Sequence, residues 1–276
     1  FNCSGNKIKS LKLKHVKLET FACSNNQLSD IVLQCPELID LECDKNNLTE
    51  LNLEGCPNLL SLDCSSNSLT KIEGLGVIER LYCNKNKFER LYGLGGLQKL
   101  QILFCNENYL LTSLEELEAC ESLDVLDCSS CPSLGSLKGV ENFTSLKELN
   151  CSACGLTCLK PLTNCISLKF LNCSSNSLTM LIGIKNCYKL EFLNCSGNRI
   201  TNFNYLKRML RIKELIGDNN CIVCIRGLGE CKALKSLSVK RNKIIRIDYL
   251  KHCVELEMLN ISRNSITNLC ELENCK

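Results

Sequence analysis

Residues Leu168–Leu190 read LKFLNCSSNSLTMLIGIKNCYKL, and the spacing of their apolar residues decides the architecture. The fixed positions are Leu168, Leu171, Cys173, Asn176, Leu178, Leu181, Ile184 and Cys187; Leu190 opens the next copy. In Leu171-Asn172-Cys173 apolar, polar and apolar side chains alternate, as in a strand with one buried face. Ser174-Ser175-Asn176-Ser177 is turn chemistry. Leu178, Leu181, Ile184 and Cys187 then recur every third residue, which suits short 3-10 segments or extended turns better than an α-helix.

This pattern fills the chain. With Asn176 as marker, the equivalent positions are Asn6, Asn26, Asn46, Asn67, Asn86, Asn108, Cys131, Cys154, Asn198, Asn220, Asn242 and Asn264, which makes thirteen copies. They are 19 to 21 residues apart as far as Asn86 and 22 or 23 apart beyond it. One copy cannot bury its apolar face alone, whereas stacked copies build a continuous core. An α/β repeat solenoid is therefore expected. Its strands would form a parallel sheet on the concave side of a curved horseshoe, with 3-10 and turn segments on the convex side. The marker amide is suited to satisfying backbone groups of the turn it sits in. A thiol at Cys131 and Cys154 is a weaker partner. Two copies carry an extra residue after the marker, at Tyr109-Leu110 and Pro132-Ser133, where a local bulge is expected. Repeat four runs almost directly from Leu75 to Ile78, which should tighten its convex side.

The motif L-x-x-L-x-L-x-x-N/C-x-L resembles the leucine-rich repeat family over essentially the whole chain. The later copies resemble the 22-residue class of the protein phosphatase 1 regulatory subunit. The earlier copies, with cysteine in the strand motif, resemble internalin-type repeats. Cysteine is used more heavily here than in either class. The resemblance implies a single leucine-rich-repeat domain spanning 1–276, with no catalytic role and a partner protein held on the concave face. Solenoids need polar caps. Phe1 already sits in a strand position and the chain stops at Cys275-Lys276, so a fragment of a longer chain is expected.

Composition narrows the partners. A net charge of +3 over 276 residues does not suggest nucleic acid or an anionic membrane. No apolar run approaches the roughly 20 residues needed to cross a bilayer. The 45% apolar content, with 5% aromatic residues and no Trp, fits a thin aliphatic core.

The 24 cysteines fall on the repeat. One column runs through Cys3, Cys23, Cys43, Cys64, Cys83, Cys105, Cys128, Cys151, Cys173 and Cys195, and ends in Gly217, Val239 and Ile261. A second holds Cys35, Cys56, Cys120, Cys165, Cys187, Cys231, Cys253 and Cys275, with Leu97, Phe143 and Met209 in equivalent places. Replacement by small apolar residues marks both columns as buried thiols acting as small hydrophobes. Stacking gives each cysteine two similar neighbours and no unique mate, so disulfides are not expected. A reducing compartment follows, and a cytoplasmic location is expected. Cys128-x-x-Cys131 and Cys151-x-x-Cys154 have the spacing of a zinc site, but all four already hold repeat-derived inward positions. Cys221-x-x-Cys224 is a weaker, redox-like pair.

Nothing else points to catalysis or a cofactor. His15 and His252 have no nucleophile or paired acid that the repeat brings near. Gly93, Gly95 and Gly96 lack the Lys-Ser/Thr sequel of a phosphate loop. The candidate partner-binding residues are apolar side chains at outward strand positions. Tyr82 and Phe104 share one column; Ile102, Val125, Phe170, Phe192 and Met258 share another. Asp40, Glu42, Asp44 and Asp63 form an acidic patch, and Lys235, Lys240, Arg241 and Lys243 a basic one. Asn150, Asn172, Asn194 and Asn260 offer a polar ladder. The leading expectation is a monomeric intracellular scaffold that binds another protein. A phosphatase-1 regulatory subunit and an extracellular internalin-like adhesin or receptor ectodomain are the alternatives.

Overall fold

A computed structural model describes residues 1–269 and 272. The chain divides into two compact units, one of residues 1–134 and 138–143, the other of residues 135–137 and 144–276.

Unit 1 contains β1 (Ser10–Lys14), β2 (Thr20–Ala22), β3 (Asp30–Gln34), β4 (Asp40–Glu42), β5 (Glu50–Asn52), β6 (Ser61–Asp63), β7 (Lys71–Glu73), β8 (Arg80–Tyr82), β9 (Ile102–Phe104) and β10 (Val125–Asp127). Strands β2, β4, β6, β8, β9 and β10 pair in parallel and in register, one per repeat. The central residue of each of these strands, Phe21 in β2 and a leucine such as Leu41, Leu62 or Leu81 in the others, is buried. The flanking residues face outward.

The early repeats depart from the expected 3-10 pattern. Their far side is extended: β1 pairs with β3, and β5 with β7, as separate parallel ribbons. Leu11-x-Leu13, Ile31-x-Leu33 and Leu51-x-Leu53 alternate with period two, and Ile31, Leu33, Leu51 and Leu53 are buried. The short fourth repeat turns through Gly74 and Gly76, with φ of 76° and 44°. A side chain at Gly74 would run into the backbone of Leu53 and Glu54. The extra residues of repeats six and seven lie in turns after the marker, where Ser133 Oγ donates to the Tyr109 carbonyl at 2.9 Å.

Unit 2 contains β11 (Glu148–Asn150), β12 (Phe170–Asn172), β13 (Phe192–Asn194), β14 (Glu214–Ile216), β15 (Ser236–Ser238) and β16 (Met258–Asn260), again parallel and in register. Here the far side follows the three-residue periodicity, with 3-10 segments at Lys160–Asn164, Ile182–Ile184, Asn204–Leu206, Arg226–Leu228 and Asp248–His252. Each unit is thus a parallel-strand solenoid of leucine-rich-repeat type.

The markers hold neighbouring repeats together. Asn198 Nδ2 donates to the carbonyls of Cys195 in its own turn and Cys173 one repeat back, both at 3.0 Å. Its Oδ1 accepts the Leu178 N–H at 2.9 Å. Asn26, Asn46, Asn86, Asn108 and Asn220 repeat this arrangement. Cys131 supplies part of it: its thiol donates to Cys105 and Ser129 carbonyls at 3.5 and 3.6 Å. The residue before every marker has left-handed backbone. Glycine fills that place only at Gly5 and Gly197; elsewhere it is Lys85, Glu107, Ala153, Ser175, Arg241 or another L-residue, with φ of 52° to 57°. In eleven of the thirteen copies the N–H of that residue donates into the next repeat, as Ser175 does to Ser196 O at 2.8 Å, which holds the strained conformation.

Candidate functional site

The outward strand positions form the sheet face. In unit 1, Tyr82 and Phe104 are register partners, with ring centroids 5.3 Å apart and tilted by 32°. Ile102 pairs with Val125 in the adjacent column. These four half-buried side chains make one apolar group on β8, β9 and β10. Asp63 flanks Tyr82 and Asp127 flanks Phe104. In unit 2, Phe170 and Phe192 are register partners whose rings stack at 4.4 Å, 4° from parallel. Phe170 remains exposed and Phe192 half-buried, so the pair presents a flat aromatic platform. Glu148 and Glu214 border it on the neighbouring strands. Met258 is 62% exposed but stands apart, with Glu214 and Ser236 between it and Phe192.

The polar ladder is partly engaged internally. The amide oxygens of Asn150, Asn172, Asn194 and Asn260 each accept from the serine two residues on, at 2.9, 2.7, 2.6 and 2.8 Å to its hydroxyl. Beside the phenylalanines it is therefore the NH2 groups of Asn172 and Asn194 that suit a partner's carbonyls.

The charges are shared out unevenly. Unit 1 holds 13 Lys and Arg against 20 Asp and Glu, a net −7; unit 2 holds 20 against 10, a net +10. In the expected acidic patch Glu42 and Asp63 are register partners, while Asp44 pairs with Lys45 at 3.2 Å. In the expected basic patch Lys235 lies 3.6 Å from Glu257.

The 22 described cysteines are thiols, and Cys275 of the second column lies outside the described residues. Both columns are buried, apart from a half-buried Cys3. Desolvation pushes the Cys23, Cys173, Cys187 and Cys231 thiols up to about 12 and Cys120 to about 11. Such groups stay protonated near neutrality and are poor nucleophiles. Cys221 and Cys224 are half-buried. Among the described residues no group of three or more His, Cys, Asp or Glu side chains is placed to hold a metal ion. The left-handed residue before each marker was not legible in the sequence, because residues as different as Lys, Ala and Arg occupy it.

Solved structures with this architecture are numerous. An internalin, InlF from Listeria monocytogenes, superposes with a TM-score of 0.76 at 25% identity over 80% of this chain and 66% of its own. The functional domain of InlJ from the same organism, which includes a cysteine ladder, gives 0.74 at 25% identity over 93% of this chain and 61% of its own. The plant peptide hormone receptor RGFR1, in complex with RGF2, gives 0.61 at 18% identity over 89% of this chain and 51% of its own. The chain thus spans less than two thirds of each of these three, and only about half of RGFR1. No protein-family model matches the sequence, and no curated protein is similar to it beyond chance. The thirteen-fold motif, the in-register parallel strands and the marker hydrogen bonds agree with these neighbours, and the chain belongs to the leucine-rich-repeat proteins.

Proposed function

We propose that this chain is a non-catalytic protein-binding module whose sheet face holds an extended segment of a partner protein. The observation that carries the reading is the Phe170–Phe192 stack, two parallel rings on the surface of a sheet whose other outward positions are mostly polar. Exposed aromatics on a rigid support lose little entropy on binding, and binding energy concentrates on such groups. The Asn172 and Asn194 amides beside them fit the carbonyls of an extended backbone. In unit 1 the Tyr82–Phe104 pair with Ile102 and Val125 is a second anchor, and Met258 contributes at the rim. RGFR1, which is similar in fold, is bound to the peptide RGF2, and this supports a protein or peptide as partner.

The test compares native protein with a Phe170→Asp, Phe192→Asp variant of unchanged melting temperature as baits in extract from the source cell. A partner held by the first and lost by the second is expected, with affinity weakened about 30-fold or more. The same proteins on both baits would remove these phenylalanines from the site.

We place the protein in a reducing, cytoplasmic compartment, because so many cysteines must stay reduced while the chain folds. The likeness to InlF and InlJ supports a second reading, an adhesin or receptor ectodomain. Alkylation of protein taken directly from its source, before and after unfolding, separates the two. Modification of all 24 cysteines on unfolding fits the first reading, and oxidised pairs fit the second.

A further inference from the structure

Unit 2 carries a second exposed apolar feature away from the sheet face. In the turn before each strand, the residue after the buried second-column position points to solvent. In successive repeats it is Ile166, Tyr188 and Leu210, which are 50%, 45% and 61% exposed; Lys232 and Val254 follow. The core does not require them, since Cys165, Cys187 and Met209 beside them are already fully buried. Unit 1 fills the same column with Val16, Pro36, Pro57, Gly76, Gln98 and Glu121. Only Val16 among these is an exposed large apolar side chain, so the run of three successive large apolar residues belongs to unit 2.

Basic side chains border the stripe. Two adjoining clefts share Tyr188 and Arg208; Lys185, Lys207 and Tyr205 line the first, and Leu210, Arg211 and Glu230 the second. Among the described residues, Lys185, Lys207, Arg208 and Arg211 take part in no ion pair. Four cations without a salt-bridge contact, opposed in the second cleft by Glu230 and near Arg211 by Glu191, surround an exposed tyrosine and leucine in a unit of net charge +10, and together they suit a ligand that is both anionic and apolar.

We propose that the Ile166–Tyr188–Leu210 stripe is a docking surface for an acidic polypeptide segment, distinct from the sheet-face site and independent of it. An apolar side chain of that segment seats between Tyr188 and Leu210. Its carboxylates meet Lys185, Lys207, Arg208 and Arg211. One feature favours a polypeptide over an anionic bilayer: Glu230 in the second cleft would repel a continuous anionic surface while tolerating spaced carboxylates.

The test selects short random peptides displayed on phage against the native protein, then measures the affinity of the enriched sequences for three variants. These are Leu210→Glu, the double charge reversal Arg208→Glu with Arg211→Glu, and the control Lys87→Glu on the surface of unit 1. All are exposed positions, and a retained melting transition shows that each variant folds. The expected peptides are rich in Asp and Glu around an apolar residue. The first two variants should weaken them about tenfold or more, the control should leave them unchanged, and rising salt should weaken binding to the native protein. Peptides without acidic residues, or acidic peptides held equally by all variants, would overturn the proposal. So would a native protein that sediments with phosphatidylserine vesicles, loses them on Leu210→Glu and enriches no acidic peptide; the stripe would then be a lipid contact.

Discussion

Unit 1 and unit 2 are built on the same buried positions and differ where burial makes no demand. Both place an apolar residue, leucine except for Phe21, at the centre of each sheet-face strand and an asparagine or cysteine at each marker. Unit 1 is net −7 and backs its first four repeats with paired strands; unit 2 is net +10 and backs its repeats with 3-10 segments. Val16, two prolines, Gly76, Gln98 and Glu121 fill a turn column in unit 1 that Ile166, Tyr188 and Leu210 fill in unit 2. The lesson is a separation of tasks. The repeat constrains about one residue in three, and the others are available for charge and recognition without cost to the core.

The largest expected effect tests whether the two cores are equivalent. The Cys23 thiol in unit 1 and the Cys173, Cys187 and Cys231 thiols in unit 2 are each pushed up to about 12 by burial, from an ordinary value of 9.0. An acid with its pKa raised in the folded state contributes full stability below the unfolded value and loses it as pH climbs toward the folded one. Stability should therefore fall between pH 9 and about 12, by several kcal/mol once the thiols are summed, and in both units together. Denaturant midpoints followed at stepped alkaline pH, alongside thiolate absorbance on unfolding, measure this. A midpoint that stays flat through that window would mean the thiols reach water in the folded state.

The next effect compares one marker from each unit. Asn108→Ala and Asn198→Ala each strand two buried carbonyls and one N–H, and each should cost about 3 kcal/mol in urea unfolding. Losses differing by more than about 1 kcal/mol would show that one unit relaxes around the missing amide and the other does not.

The smallest effect has the opposite sign. Lys85 and Ser175 both hold φ of 55°, where L-residues are strained. Lys85→Gly and Ser175→Gly should each stabilise by about 0.5 kcal/mol, because relief of strain slightly exceeds the entropy lost by glycine. Destabilisation at either site would point to side-chain contacts that outweigh the strain.

Much of this was legible in the sequence. Asn176 and its equivalents announced both the repeat and its hydrogen-bonding role, because a buried turn needs a fixed donor and acceptor. The two cysteine columns declared their burial through Gly217, Val239 and Leu97. The adjacency of Phe170 and Phe192 followed from register alone, and the structure added the stacking of their rings. The paired strands β1, β3, β5 and β7 were harder, since the three-residue period of Leu178–Cys187 masks a two-residue period that starts only at Leu11-x-Leu13. The left-handed residues carried no signal, because hydrogen bonds to the next repeat, rather than side-chain identity, hold them. Met258 shared a column with the phenylalanines on paper, yet the charge of Glu214 and the small Ser236 separate them on the surface.

The marker hydrogen bonds have a consequence for how such a chain can change its length. Asn198 asks its neighbour only for a backbone carbonyl and a backbone N–H in the right places, which the repeat supplies. Removing residues 175–196 would join Ser174 to Gly197, restore a left-handed residue before the marker and leave Asn198 facing the Cys151 carbonyl that Asn176 now uses. Each junction made this way repeats one already present. Unequal exchange between copies would therefore add or remove whole 22-residue units, lengthening or shortening the sheet face without redesign of the core.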